Sequence, residues 1–169
     1  MSNVVLRQHL LDLNDPPNED VRKIVAVWRT WCGTASMPRW TDSEMLLDLP
    51  PSILSYMTIV DVHQAPRDYV FRYWGSGITT LLGYDLTGQS VRVTKSDAHT
   101  KTILAQLDAV CDQKQPYLNI EEFIRSGDLI AHDIGLRLPI SNSGDTVDII
   151  LNMFWMTSPY ETGWAKAYG

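Results

Sequence analysis

Cysteine is scarce in this sequence. Cys32 and Cys111 are the only two in 169 residues, too few and too far apart for a disulfide framework. Each falls in a helical pattern, so both are expected as free, buried thiols in a reducing cytoplasm. Long apolar runs are also missing. No stretch of about 18 apolar residues exists to span a bilayer. Arg7, Gln8, His9 and Asp12 interrupt the N-terminal apolar residues where a signal peptide needs a continuous core. Positive charge is in deficit, 14 Lys and Arg against 20 Asp and Glu, for a net charge of −6. That balance disfavours nucleic acid or an anionic membrane as a direct partner. No HExxH, CxxC, GxSxG or P-loop pattern occurs. What is present is ordinary for a globular chain, 44% hydrophobic and 20% charged, at a length that suits one domain with short extensions.

Residues 1–17 read as a flexible arm ending at Pro16-Pro17. Asn18 is placed to cap a helix whose first turn holds Glu19 and Asp20. Val21, Ile24, Val25, Trp28, Trp31 and Cys32 make one apolar stripe on about 14 residues, stopped by Gly33. Residues 34–52 are broken by Pro38, Pro50 and Pro51, with Thr41 or Asp42 as the cap of a short helix through Leu47. Residues 55–63 and 69–75 read as a hairpin joined by Ala65-Pro66-Arg67-Asp68. Short helical pieces at 78–82 and 89–93 follow among Gly75, Gly77, Gly83 and Gly88.

Residues 97–114 carry the longest helical stripe, Ile103, Leu104, Leu107, Val110 and Cys111. Three strands come next, at 117–125, 130–141 and 146–156, turning at Ser126-Gly127-Asp128 and Asn142-Ser143-Gly144-Asp145. In the second, Ile134, Leu136, Leu138 and Ile140 alternate with Asp133, Gly135 and Arg137. The third is apolar on one face (Val147, Ile149, Leu151, Met153, Trp155) and partly on the other (Ile150, Phe154), as a central, doubly covered strand is. Strands on both sides of a helical middle predict an α+β domain with one antiparallel sheet.

Three separated segments carry a family resemblance. FRYWGSGITTLLGYDLTGQSV (Phe71–Val91), with Gly83-Tyr84-Asp85-Leu86-Thr87-Gly88 as its best local match, resembles the second strand and short helices of PAS domains. LPISNSGDTVDIILNMFW (Leu138–Trp155) is similar to the last PAS hairpin. MPRW (Met37–Trp40) with LDLPPSILSYMTIVDV (Leu47–Val62) resembles the approach to the first strand in a bacterial subfamily of stand-alone PAS proteins. The resemblance implies a five-stranded antiparallel sheet in PAS order 2-1-5-4-3, with helices on one face and an extra N-terminal helix. That helix would lie on the other face or in a dimer contact. The implied organisation is a flexible arm at 1–17, a helical extension at 18–52, a PAS-like domain at 53–156 and a tail at 157–169.

Candidate chemistry is thin. Asp61 with His63, and His132 with Asp133, are the pairs on which a small metal protein or enzyme could be built. In the implied strand order the two pairs do not converge. Glu121 and Glu122 alternate faces, so they make no carboxylate pair. Flavin photoreceptors of the PAS fold carry a reactive cysteine in an N-C-R-F-L-Q-like segment, and nothing here resembles it. His99, four before Ile103, is the one candidate haem ligand, with helix capping or exposure as its ordinary role. The cofactor stays unnamed.

The resemblance implies instead a cavity between sheet and helices. Its candidate liners are Phe71, Tyr73, Ile78, Leu82, Ile103, Leu107, Asn119, Ile120, Leu136, Leu138, Ile150 and Asn152. Asn152 stands in a very apolar strand and needs a partner, a water or a ligand. Val21, Ile24, Val25, Trp28 and Trp31 are the candidate interface. The expected function is a cytoplasmic, stand-alone sensory module without catalysis. It would bind a small ligand or a signalling partner, form a homodimer, and act through another protein.

Overall fold

Asn18 opens the first helix as its position demands: its side-chain oxygen accepts from the Val21 N–H at 2.8 Å. The computed structural model, which describes residues 4–94 and 97–156, places this helix, α1, at Glu19–Cys32. Asp42 caps a 3-10 turn at Ser43–Asp48, and a single turn, α2, follows at Pro51–Leu54. The hairpin is β2 (Met57–His63) and β3 (Asp68–Trp74). Helix α3 (Ser76–Leu82) ends at Gly83 in the left-handed region, and α4 runs over Asp97–Gln113. The last three strands are β4 (Tyr117–Arg125), β5 (Asp128–Ile140) and β6 (Ile149–Met156). The expected tail at 157–169 lies outside the described residues.

The sheet is antiparallel and has six strands, not five. Residues 4–10, expected within a flexible arm, form an edge strand, β1 (Val4–Leu10), paired with β4 from Val4↔Arg125 to Leu10↔Asn119. VVLRQHL shows no clean alternation, and its partner lies more than 100 residues away, so only the tertiary pairing decides its state. The full order is β1-β4-β5-β6-β2-β3. Without β1, that is the implied PAS order.

Strand alternation divides the sheet into two faces. One carries Met57, Ile59, Leu136, Leu138, Ile140, Ile149, Leu151 and Met153, all buried. Helix α1 covers it with Val21, Ile24, Val25 and Trp28, and the Trp28 indole N–H donates to the Pro139 carbonyl at 2.9 Å. Each of those side chains contributes about 1.5–3 kcal/mol by burial. Four of the five candidate interface residues are thereby buried within their own chain and have little exposed surface to offer another. Trp31, half-buried, donates its indole N–H to Asp48 at 2.8 Å.

The other face lies beneath α3 and α4. Here Gly75 has a steric reason: a Cβ would stand 2.2 Å from the Ser55 carbonyl oxygen, so only glycine lets the two segments cross. Among the described residues, no helix is long and apolar enough to cross a membrane.

Candidate functional site

Helical spacing builds one wall of a cavity. His99, Ile103, Gln106 and Leu107 stand at i, i+4, i+7 and i+8 on α4, hence on one side of the helix. Ile78 and Leu82 do the same on α3. The opposite wall is the second face of the sheet. It brings Thr58 and Val60 from β2, Phe71 and Trp74 from β3, Asp133 and Arg137 from β5, and Asn152 and Phe154 from β6. The space between the walls is about 40 Å3. With one water taking ~10–15 Å3 on this scale, it holds roughly three waters or one small molecule. Phe71 meets Trp74 edge to face, centroids 4.9 Å apart.

One rung of the sheet crosses the floor of this cavity. Trp74 pairs with Thr58, Thr58 with Asn152, and Asn152 with Arg137. Arg137 is 2% exposed. Its Nη1 donates to Asn152 Oδ1 at 2.8 Å. Its Nε donates to Gln106 Oε1 at 3.1 Å, and Nη2 donates to the same oxygen. Asn152 passes the network on to Thr58 Oγ1 at 3.1 Å. Gln106 Nε2 donates to Glu121 Oε1 at 2.6 Å and to Gln8 Oε1 of the edge strand at 3.0 Å.

Burial holds the Arg137 guanidinium below its ordinary value, while the Glu121 carboxylate pulls the other way. His99 is 5% exposed. Burial first, and then the Arg137 charge, push its pKa down to about 3, so the imidazole is neutral at physiological pH. Its place in the cavity wall corrects the expectation of a capping or exposed residue.

Six of the expected liners meet here: Phe71, Ile78, Leu82, Ile103, Leu107 and Asn152. The other six do not line the cavity. Leu136, Leu138, Ile120 and Tyr73 lie on the α1 face by alternation, and Tyr73 donates its hydroxyl to the Leu54 carbonyl at 2.8 Å. Ile150 shares the cavity face with Val60, its register partner, but stands outside the lining. Asn119 also lies on the cavity side of β4, opposite Gly135, with its amide buried and unpartnered. A Cβ on Gly135 would come within 2.8 Å of the Asn119 Oδ1.

The sequence reading missed Arg137, Gln106, Trp74 and Thr58. A signal existed for Arg137: counting outward from the Asn142–Asp145 turn sets it against the stretch that holds Asn152.

The alternative site does not assemble. Strand β6 separates β2 from β5. Asp133 faces the cavity, whereas Asp61 sits on the other face in an ion pair with Arg72. Among the described residues no three metal-ligating side chains gather. Glu122, on the face opposite Glu121, meets His9 at 3.2 Å.

A cysteine-linked flavin does not fit either. Neither cysteine lines the cavity. Burial pushes the Cys111 thiol up, and the sulfur accepts from the Tyr69 hydroxyl at 3.6 Å.

No protein-family model matches the sequence, and no curated protein matches it significantly. Solved structures do. A light-oxygen-voltage domain studied with a flavin analogue is 17% identical, with a TM-score of 0.45, over 68% of this chain and 83% of that one. A PAS domain from Colwellia psychrerythraea is 17% identical, TM-score 0.41, over 59% and 85%. An RNA-binding light-oxygen-voltage receptor is 14% identical, TM-score 0.46, over 98% of this chain and 41% of that one. The chain's own topology, β3-β2-β6-β5-β4 with α3 and α4 over one face and β1 added at the edge, is that of a PAS fold.

Proposed function

We propose that this chain is a sensory module that binds a small molecule between its sheet and α4 and carries out no reaction itself. The observation behind this reading is the cavity whose floor is the rung Trp74, Thr58, Asn152 and Arg137. A core serving stability alone has no use for a buried guanidinium, because apolar residues of the same volume do as well or better. A site that must orient a small ligand does use a few placed polar groups in an apolar wall. Occupancy would be passed on through contact with another protein chain, a second copy included, on surfaces other than the buried stripe of α1.

Native mass spectrometry of freshly purified protein, set against the denatured mass and an absorption spectrum, tests this. A retained mass that Leu107→Trp abolishes in a folded variant is the expected result. The same measurement reports whether the chain is a dimer. A bare mass, with no small molecule able to raise the melting temperature, would overturn the reading.

A further inference from the structure

Arg137 and Trp74 leave hydrogen-bond donors uncommitted in the cavity lining. A guanidinium has five N–H groups. The Nε hydrogen and one on Nη2 go to Gln106, and one on Nη1 goes to Asn152. One hydrogen remains on each terminal nitrogen. Those two partners are neutral amides, and among the described residues no ion pair forms on Arg137. The Glu121 carboxylate, which favours the charged guanidinium, is joined to Arg137 through the intervening Gln106. At the other end of the same rung, the Trp74 indole N–H is buried and has no hydrogen-bond partner. A buried cation without a direct counter-charge is costly, and a buried N–H without an acceptor adds to that cost. An acceptor carrying negative charge would relieve the cation. Asp133, the acidic liner, is four residues from Arg137 along β5, about 13 Å between Cα atoms at the strand rise.

We propose that the cavity takes a small organic anion, a short-chain or single-ring carboxylate. Its carboxylate would seat on the free edge of Arg137, and its apolar part against Phe71, Ile103 and Leu107. This rests on the ligand-binding reading above and narrows it to one chemical class. Gln106 and Asn152 then act as positioning residues. They fix the guanidinium plane so that two parallel N–H groups meet the two carboxylate oxygens, the geometry in which arginine binds carboxylates most strongly.

Calorimetric titration with butyrate and benzoate, against butyramide and benzamide, tests the class. The amides match the acids in shape and lack the charge. The expected result is a preference for each acid of at least about tenfold, lost in Arg137→Gln. If Arg137→Gln does not fold, Glu121→Gln takes its place. Removing that competing carboxylate should tighten the acids severalfold and leave the amides unchanged, and an unchanged acid affinity counts against the proposal. Amides that bind as well as acids, a preference that survives Arg137→Gln, or a neutral or cationic molecule retained from purification would each overturn the anion and leave the cavity reading standing. Failure of all four probes, together with a bare native mass, would remove the cavity reading and the anion with it.

Discussion

The two faces of the sheet are built from the same strands, one residue out of step, and they differ in kind. The face under α1 is apolar and buried at its centre. Leu136 stands beside Met153 and Met57, and Leu138 beside Leu151 and Ile59. One polar bond, from Trp28 to the Pro139 carbonyl, ties the helix down. The face under α4 has a polar centre in the same strands, Arg137, Asn152 and Thr58, ringed by Phe71, Ile103 and Leu107. The first face holds the fold together by area alone, which is forgiving of sequence. The second depends on a connected network in which each member satisfies the next, and such a network fails when half satisfied. Assigning stability to one face and recognition to the other is therefore a claim that substitutions can break.

The largest effect is expected on the apolar face. Trp28→Ala should lower unfolding free energy by about 3–5 kcal/mol, read from urea denaturation. A loss under about 1 kcal/mol would mean that α1 does not seal that face. Next comes the polar centre. Gln106→Leu takes two of the three bonds from Arg137 and should cost about 2–3 kcal/mol. Adding Arg137→Met and Asn152→Leu should restore the loss, since an apolar substitute for a buried charge is often neutral or stabilising. If the triple variant is the least stable of the set, the network holds the fold and the contrast between faces collapses.

A third effect depends on pH. His99 has a folded pKa of about 3, against about 6.5 in an unfolded chain. Between those values the unfolded chain binds the extra proton. Stability is therefore complete above pH 6.5 and falls as the pH drops toward 3, by about 2 kcal/mol at pH 5. His99→Leu should flatten that part of the profile. An identical pH dependence in the variant would place the imidazole in water. The smallest effect belongs at the sheet's edge. His9 meets Glu122 in the open, so His9→Ala should change stability by less than about 1 kcal/mol.

Much of the architecture was legible beforehand because it rests on local rules. Asn18, Gly33 and the stripe between them define α1 without outside help. The alternation in residues 134–140 defines β5, and the run from Ile149 to Phe154 marks β6 as central. Half of the expected liners stand around the cavity for the same reason, since helical spacing places Ile78, Leu82, Ile103 and Leu107. The errors came where a second segment had to be known. Alternation gives two faces but does not say which one α4 covers, and Tyr73, Leu136 and Leu138 lie on the face it does not. In sequence Arg137 reads as the polar counterpart in an apolar strand, whereas burial of both faces of the sheet turns that position inward.

By itself, then, the sequence determined most of the elements, their ends to within a few residues, and the apolar face on which they condense. These follow from capping, periodicity and turn chemistry within a few residues of each position. Tertiary structure alone decided that residues 4–10 become a sixth strand, that α1 keeps its stripe for its own sheet, and that Gln8, Gln106, Glu121, Arg137 and Asn152 meet. Those outcomes join residues tens to more than a hundred positions apart. The hydrogen bonds that fix them form only once strand register has brought the partners within reach.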